Sequence, residues 1–145
     1  MFLLAVVLLL VLAIIVRKQH RGQAKAAEAE MHMLAVEVSR ISWAVPGANL
    51  KTGPGGGLKA AIRVHASVPA DDLLTDPWGT PYLVSCDGTA LVIFTPGPDG
   101  KWGVAESDSD NAELVAAVST GKATLSRGKP PSFTPASKQP AAAGR

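Results

Sequence analysis

Apolar residues in the first third of the chain change from a continuous run to a periodic stripe. Residues 1–16, MFLLAVVLLLVLAIIV, contain no charged or polar side chain. Further along, apolar residues recur every three or four positions, which places them on one face of an α-helix. The pattern predicts one long helix that ends near Ala44, before Pro46-Gly47. The stripe consists of Ala24, Ala27, Met31, Leu34, Val38, Ile41 and Val45.

The apolar run at residues 1–16 lies at the short end for a membrane span, which takes about 20 residues. Arg17 and Lys18 can extend it by snorkelling to the headgroups. A cleaved signal peptide fits less well, because no basic segment precedes the run and no small-x-small site follows it. We therefore expect a retained anchor at residues 1–16 and an amphipathic continuation at residues 17–45. The stripe of this continuation covers a sheet or, alternatively, forms a short coiled coil.

The second half of the chain contains two β-prone runs, Tyr82–Ser85 and Leu91–Phe94. They are separated by Asp87-Gly88, a dipeptide that favours a hairpin turn. Asp76-Pro77-Trp78-Gly79, which precedes them, is a turn signal. The segment Thr95-Pro96-Gly97-Pro98-Asp99-Gly100 cannot continue a central strand, because its prolines lack backbone donors. This part of the chain therefore predicts a turn, a hairpin and a loop.

Three further segments complete the outline. Residues 46–57, PGANLKTGPGGG, predict a loop, and they lack the preceding strand and the following Lys-Ser/Thr of a phosphate-binding loop. Residues 58–66 fit either a short helix or a strand. Residues 111–118, NAELVAAV, predict a short helix, with Asp110 as its N-cap and Glu113 completing a capping box.

Length and charge refine this outline. The 145 residues suffice for one small domain with appendages, and the net charge is +2. The basic residues cluster after the apolar run and in residues 121–145, a proline-rich segment that we expect to be disordered. That tail is either merely solvated or an electrostatic tether to an acidic surface or to anionic lipid. The single cysteine, Cys86, excludes an internal disulfide. Residues 46–120 are thus the predicted globular head.

Three short motifs follow one another along the second half of the chain: Asp76–Tyr82 (DPWGTPY), Thr95–Gly100 (TPGPDG) and Ser107–Asp110 (SDSD). Together they resemble the C-terminal part of the major pseudopilin of type II secretion systems, in the type IV pilin-like superfamily. That family has a DPWG-x-P-Y turn, strands, a serine-leucine-glycine-x-aspartate-glycine turn, and a calcium loop that ends in aspartates. The resemblance implies an α+β, pilin-like fold. In it, a long N-terminal helix with a membrane-embedded start packs on a small antiparallel β-sheet with a C-terminal calcium loop.

The oxygen atoms of this loop suit calcium, which takes roughly six to eight oxygen ligands. Asp108 and Asp110 are two positions apart, so in an extended segment both side chains point the same way. By the resemblance, the calcium ligands are the Pro96 carbonyl, Asp99, Asp108 and Asp110, with Pro96 standing where the family usually has leucine. Without the resemblance, these acids form a solvated loop and a helix cap.

The function that the resemblance implies is structural. Subunits assemble through their N-terminal helices into a periplasmic pseudopilus that helps export folded proteins across the outer membrane. The expected partners are other copies of the subunit, the secretion machinery and the inner membrane, which the chain crosses once with its head in the periplasm. We expect no enzymatic activity, since no Ser-His-Asp or Cys-His arrangement has local support. We also expect that the chain binds neither nucleic acid nor a small-molecule substrate.

The N-terminus departs from the family pattern. If Phe2 takes the place of the first mature phenylalanine, Val6 stands where the family has a glutamate that is thought to set the register between subunits. Either the true start lies upstream, or the chain is a divergent member. The alternative function is a non-polymerising, membrane-anchored periplasmic accessory or binding module with a pilin-like head. Topology is also open, because positive charge after the span favours a cytoplasmic location for that side.

Overall fold

The computed structural model describes residues 2–53, 55–66, 69–100 and 111–128 of the chain. Its main elements are a long helix and a four-stranded sheet. The fold is α+β, with a long N-terminal helix and an antiparallel sheet, as the sequence predicts. The elements are α1 (Phe2–Ala44), α2 (Leu58–His65), α3 (Ala70–Leu73), β1 (Leu83–Cys86), β2 (Ala90–Thr95), β3 (Ala112–Ala117) and β4 (Ala123–Arg127).

The sheet is an antiparallel meander with strand order β1-β2-β3-β4. The hairpin predicted at Asp87-Gly88 is confirmed as the β1–β2 connection. Asp87 Oδ1 accepts hydrogen bonds from the backbone N–H groups of Ala90 at 2.8 Å and Thr89 at 2.9 Å. These donors lower the pKa of Asp87 to about 2. Gly88 has φ 91°, which a residue without Cβ adopts at little cost.

The predicted apolar stripe of α1 is confirmed from Ala27 to Ile41, where it is buried within the chain's own head, whereas Val45 lies beyond the helix and is 37% exposed. Met31, Leu34, Val38 and Ile41 are fully buried, and α1 contacts β2, β3 and α2. The helix ends at Ala44, as predicted before the Pro-Gly pair. The sheet, rather than a coiled-coil partner, therefore covers this part of the stripe. No helix in the described ranges has the length and apolarity that crossing a membrane requires.

Alternate residues of the sheet supply the other half of the core. In β2, Leu91 and Ile93 are fully buried and face Ala116 and Leu114 of β3 in register. Because side chains alternate between faces along a strand, Phe94 lies on the opposite, outer face. The sheet side of the core further includes Tyr82, Val84, Cys86, Ala112 and Val118.

The segment left open by the sequence is the helix α2. Leu58 and Ile62, one turn apart, are fully buried against the core, which favours a helix over a strand. Lys59 and Arg63 lie on the exposed side, and both form ion pairs with Asp71 of α3. The Lys59 side chain, through its hydrogen bond and its charge, lowers the pKa of the Asp71 carboxyl group.

Two predictions for the C-terminal part are wrong. Residues 112–117 form strand β3 rather than a helix, because β2 pairs with all of them and β4 pairs with residues 112–116. Residues 123–127 form the edge strand β4 rather than disordered chain, because their backbone pairs with β3 while Ala123 and Leu125 pack on the core. Residues 129–145, the rest of the predicted tail, lie outside the described residues, as does Asp110, the predicted N-cap.

Polar contacts attach α1 to the sheet beyond the apolar core. Tyr82 is fully buried, and its hydroxyl group donates to Glu30 Oε2 at 2.9 Å. Burial and the Glu30 carboxylate raise the pKa of Tyr82. Glu28 of α1 forms an ion pair with Arg127 at the end of β4. Helix and sheet are therefore joined at the residue that precedes the first strand and at the end of the last strand.

Candidate functional site: the loop end of the sheet

The turn before β1 is organised by a buried carboxylate. Asp76 is 4% exposed, and its Oδ1 accepts hydrogen bonds from the backbone N–H groups of Thr80 at 2.7 Å and Trp78 at 3.0 Å. The backbone N–H of Gly79 donates to the Asp76 carbonyl at 2.9 Å. Asp76 therefore closes the turn with its side chain as well as its backbone. The DPWG pattern predicts the turn, but it does not predict that the carboxylate is buried.

The same carboxylate connects the turn to the end of β2. Thr95 is fully buried, and its hydroxyl group donates to Asp76 Oδ2 at 2.6 Å. The Thr95 hydroxyl oxygen in turn accepts from the backbone N–H of Gly97 at 3.2 Å. This chain of contacts fixes the first residues of the loop, and Pro96 and Gly97 are accordingly buried.

The structure locates two of the four predicted calcium ligands. β2 ends at Thr95, so Pro96 is the first residue beyond the strand, as the prolines predict. Asp99 is exposed within a turn in which Gly100 N–H donates to the Gly97 carbonyl at 3.2 Å. The other two predicted ligands, Asp108 and Asp110, lie outside the described residues, and so does Trp102. Within the described ranges, no three His, Cys, Asp or Glu side chains are grouped so that they could hold a metal ion.

Two buried polar residues at this end of the sheet were not predicted as site residues. Asn111 is 1% exposed, and its Oδ1 has no hydrogen-bond donor among the residues that the structure describes. Glu113, which the sequence assigns to a capping box, is 5% exposed on β3. Glu113 lies on the outer face of the sheet, because its neighbours Ala112 and Leu114 face the core, and Asn111 directly precedes β3. The amide oxygen of Asn111 fits a hard cation, which prefers oxygen ligands.

Trp78 follows Asp76 in the turn and is half-buried. Its indole Nε1 is buried and has no acceptor within the described part of the chain. An indole N–H is a donor only, so it cannot bind a cation.

A cleft of about 340 Å³ lies elsewhere in the head, beside the glycine-containing loop and α2. Lys51, Lys59 and Asp71 line its polar side, and Leu74 and Tyr82 line its apolar side. Because Lys59 pairs with Asp71, the polar side is partly neutralised. Neither Pro96 nor Asp99, the two predicted calcium ligands among the described residues, lines this cleft.

Comparisons of the chain with models of protein families, with curated proteins and with solved structures gave no significant match.

Proposed function

We propose that this chain is a structural subunit of the pseudopilus of a type II protein secretion system. It assembles with other copies through its N-terminal helix, is anchored in the inner membrane by residues 1–16, and presents its head to the periplasm. The assembled subunits help to export folded proteins across the outer membrane, and the chain itself performs no chemistry. The ordered motifs in the sequence and the packing of a long helix on a small antiparallel sheet support this proposal.

A second apolar stripe on α1 carries the proposal. Met33, Val36 and Trp43 are 59%, 70% and 67% exposed, and their spacing of three and seven positions places them on one side of the helix. Met33 and Val36 lie opposite the stripe that the sheet buries, whereas the indole N–H of Trp43 donates to the Val118 carbonyl of the head at 3.4 Å. Because large apolar side chains grouped on a surface favour association, we assign this face to contact with a second copy of the chain.

Calcium is the cofactor of the proposal. Its ligands are the Pro96 carbonyl, Asp99, Asp108 and Asp110, taken from the resemblance. The position of Pro96 directly beyond β2 supports this assignment, since a carbonyl there is outside the registered strand pairs. Bound calcium would bring the carboxylates of the loop together, because it offsets their mutual repulsion.

Cross-linking tests the assembly. The full chain is produced in membranes that contain a type II secretion assembly platform, treated with a short amine-reactive cross-linker, and separated by size. We expect a ladder of multimers for the native chain and its loss in Val36→Glu, because a charge on the stripe opposes close helix contact. Val64→Glu is the matched control, since Val64 is 76% exposed on α2 and outside the stripe. Equal ladders from the two variants would contradict the role of the stripe.

One observation favours the alternative function, a non-polymerising accessory or binding module with the same head. Val6 stands at the position where the family has a glutamate, if Phe2 is counted as the first mature residue. This alternative requires the native chain to remain monomeric beside the assembly platform. The cross-linking experiment therefore separates the two functions.

A further inference from the structure

The basic residues that follow the apolar run form a stripe on α1. Lys18, Arg21 and Lys25 are exposed, and their spacing of three and four positions places them on one side of the helix. No Asp or Glu occurs in the chain before Glu28, and Glu28 is itself paired with Arg127 of β4. Within the described residues, none of the three cations forms an ion pair. The chain itself therefore leaves the charge of these three residues, the basic stripe, without an offset.

The basic stripe begins directly beyond residues 1–16, the proposed membrane anchor. At about 1.5 Å of rise per residue, Lys18 lies about 3 Å beyond the apolar run, Arg21 about 8 Å and Lys25 about 14 Å. The headgroup layer on each side of a bilayer is about 5–8 Å thick. Because side chains on a helix lean toward its N-terminus, the long side chains of the stripe lean back toward this layer. The stripe therefore lies within reach of lipid phosphate groups.

The basic stripe and the second apolar stripe share one side of α1. Lys18 and Val36 are eighteen positions apart, as are Lys25 and Trp43, and this spacing corresponds to about five full turns of α-helix. In each pair the two side chains therefore face the same way. Val36 is 70% exposed and Trp43 is 67% exposed. Copies that associate through the second apolar stripe would thus also bring their basic stripes together.

The basic stripes of two associated copies repel each other unless a counter-charge lies between them. Packed helices lie about 8–10 Å apart, and the Debye length at physiological salt is about 8 Å, so dissolved salt screens this repulsion only in part. An anionic lipid holds a phosphate group at the depth of the stripe, whereas a zwitterionic lipid carries no net charge. The position and the charge of the stripe therefore fit the headgroups of anionic phospholipids.

We infer that the basic stripe binds the headgroups of anionic phospholipids, and that this binding permits neighbouring copies to associate through α1. The inference rests on the proposed function, in particular on the anchor at residues 1–16. It adds a lipid partner that the motif resemblance does not provide.

The lipid selectivity of the full chain tests this contact. The chain is reconstituted in phosphatidylcholine vesicles that contain a trace of spin-labelled lipid, and electron paramagnetic resonance gives the fraction of the label held at the protein. We expect labelled phosphatidylglycerol to be preferred over labelled phosphatidylcholine about fivefold or more, since one basic residue near an anionic surface contributes about that factor. High salt should reduce the preference, because it screens exposed charges.

A triple variant, in which every residue of the basic stripe is changed to Gln, should lose this preference. Glutamine keeps a long side chain and a similar helix propensity, so α1 should still form. The matched control combines Lys51→Gln, Arg63→Gln and Lys122→Gln, which remove the same charge from exposed positions of the head. A conservative variant that combines Lys18→Arg with Lys25→Arg keeps the charge and should keep the preference.

Self-association is measured in vesicles of phosphatidylcholine with and without phosphatidylglycerol. Energy transfer between donor-labelled and acceptor-labelled copies, each labelled on a C-terminal tag, gives the associated fraction. We expect the native chain to associate more strongly when phosphatidylglycerol is present. The triple variant should associate equally in both kinds of vesicle, because its copies no longer repel each other at the stripe.

The outcomes separate the lipid contact from the proposed assembly. Equal association of both labelled lipids with the native chain, or an unchanged preference in the triple variant, would overturn the lipid contact. If the triple variant does not insert into vesicles, loss of the preference in the conservative variant overturns it. Native self-association that is independent of phosphatidylglycerol would overturn the role of the lipid in association. A retained lipid preference without self-association in any vesicle would support the contact and contradict the proposed assembly alone.

Discussion

Replacing Asp76 should remove the contact that fixes the loop end of the sheet. Its carboxylate accepts hydrogen bonds from Trp78 N–H, Thr80 N–H and the Thr95 hydroxyl group. A hydrogen bond to a charged group contributes about 1.5–3 kcal/mol, but such contributions do not simply add. In Asp76→Ala, water can reach the half-buried turn, whereas the fully buried Thr95 hydroxyl group loses the acceptor for its proton and keeps only the hydrogen bond from Gly97 N–H. We therefore expect a loss of about 3–5 kcal/mol in the free energy of unfolding.

This loss is a large fraction of the free energy of unfolding of a small domain. Total stabilities are about 5–15 kcal/mol, and 1 kcal/mol lowers the melting temperature by about 4–8 °C in domains of this size. Asp76→Asn keeps the shape of the side chain and can still accept two hydrogen bonds, so its cost should be smaller, about 1–2 kcal/mol.

The measurement is urea unfolding of the full chain in mild detergent, followed by circular dichroism and tryptophan fluorescence. Asp72→Ala is the matched control, because Asp72 is exposed on α3, and its effect should stay within about 0.5 kcal/mol. A double-mutant cycle between Asp76→Asn and Thr95→Val should show coupling of about 0.5–3 kcal/mol. Additive effects, or an Asp76→Ala variant as stable as Asp72→Ala, would refute the role of this carboxylate.

The other predictions concern the core and two titrating groups. Met31→Ala should cost about 2–5 kcal/mol in urea unfolding because Met31 is fully buried, whereas Met33→Ala, 59% exposed, should cost under about 0.5 kcal/mol. The pKa of Asp87, followed by carboxyl NMR, should be about 2. Its contribution to stability is present above the unfolded pKa of about 3.9 and is lost as pH falls toward 2, a dependence that Asp87→Asn should lack. Tyr82 has a raised pKa, so its contribution is present below the unfolded pKa of about 10 and is lost as pH rises through the folded value. Alkaline unfolding should therefore shift in Tyr82→Phe, and an unshifted transition would contradict the burial of the hydroxyl group.

The sequence predicted α1 and the β1–β2 hairpin, because the structure of both depends mainly on local sequence. The stripe of α1 is long enough for its spacing to be unambiguous, and Asp87-Gly88 sets the hairpin with two residues. The end of α1 at Ala44 is similarly fixed by the prolines and glycines that follow.

Strand β3 shows why the sequence pattern predicted a helix at residues 111–118 where the structure has a strand. NAELVAAV is rich in helix formers and carries an apparent capping box, so its local preference is helical. Pairing with two strands overrides that preference, because it buries Leu114 and Ala116 on one face. The alternation of Leu114, Ala116 and Val118 was the available signal. The sequence signal for β4 is weaker, because only Ala123 and Leu125 of this edge strand pack on the core, and such a strand needs few apolar residues.

The sequence predicted only part of the candidate site, because contacts between distant segments also determine it. Sequence motifs indicate which residues lie in a loop, but they do not show which of them are buried. The burial of Asp76, Asn111 and Glu113 depends on the pairing of β2 with β3 and on the packing of the turn before β1. These are contacts between distant segments, so only the folded chain reveals them.

Thermal unfolding of the full chain in detergent, with calcium and with chelator, tests the central claim most directly. A ligand that binds only the native state stabilises it by about 2.7 kcal/mol at a hundredfold excess over Kd. For a domain of this size we expect a rise in melting temperature of about ten degrees or more. The rise should disappear when Asp108 and Asp110 are both changed to Ala. Equal melting temperatures with calcium and with chelator would contradict the calcium-closed head and leave the acids as a solvated loop.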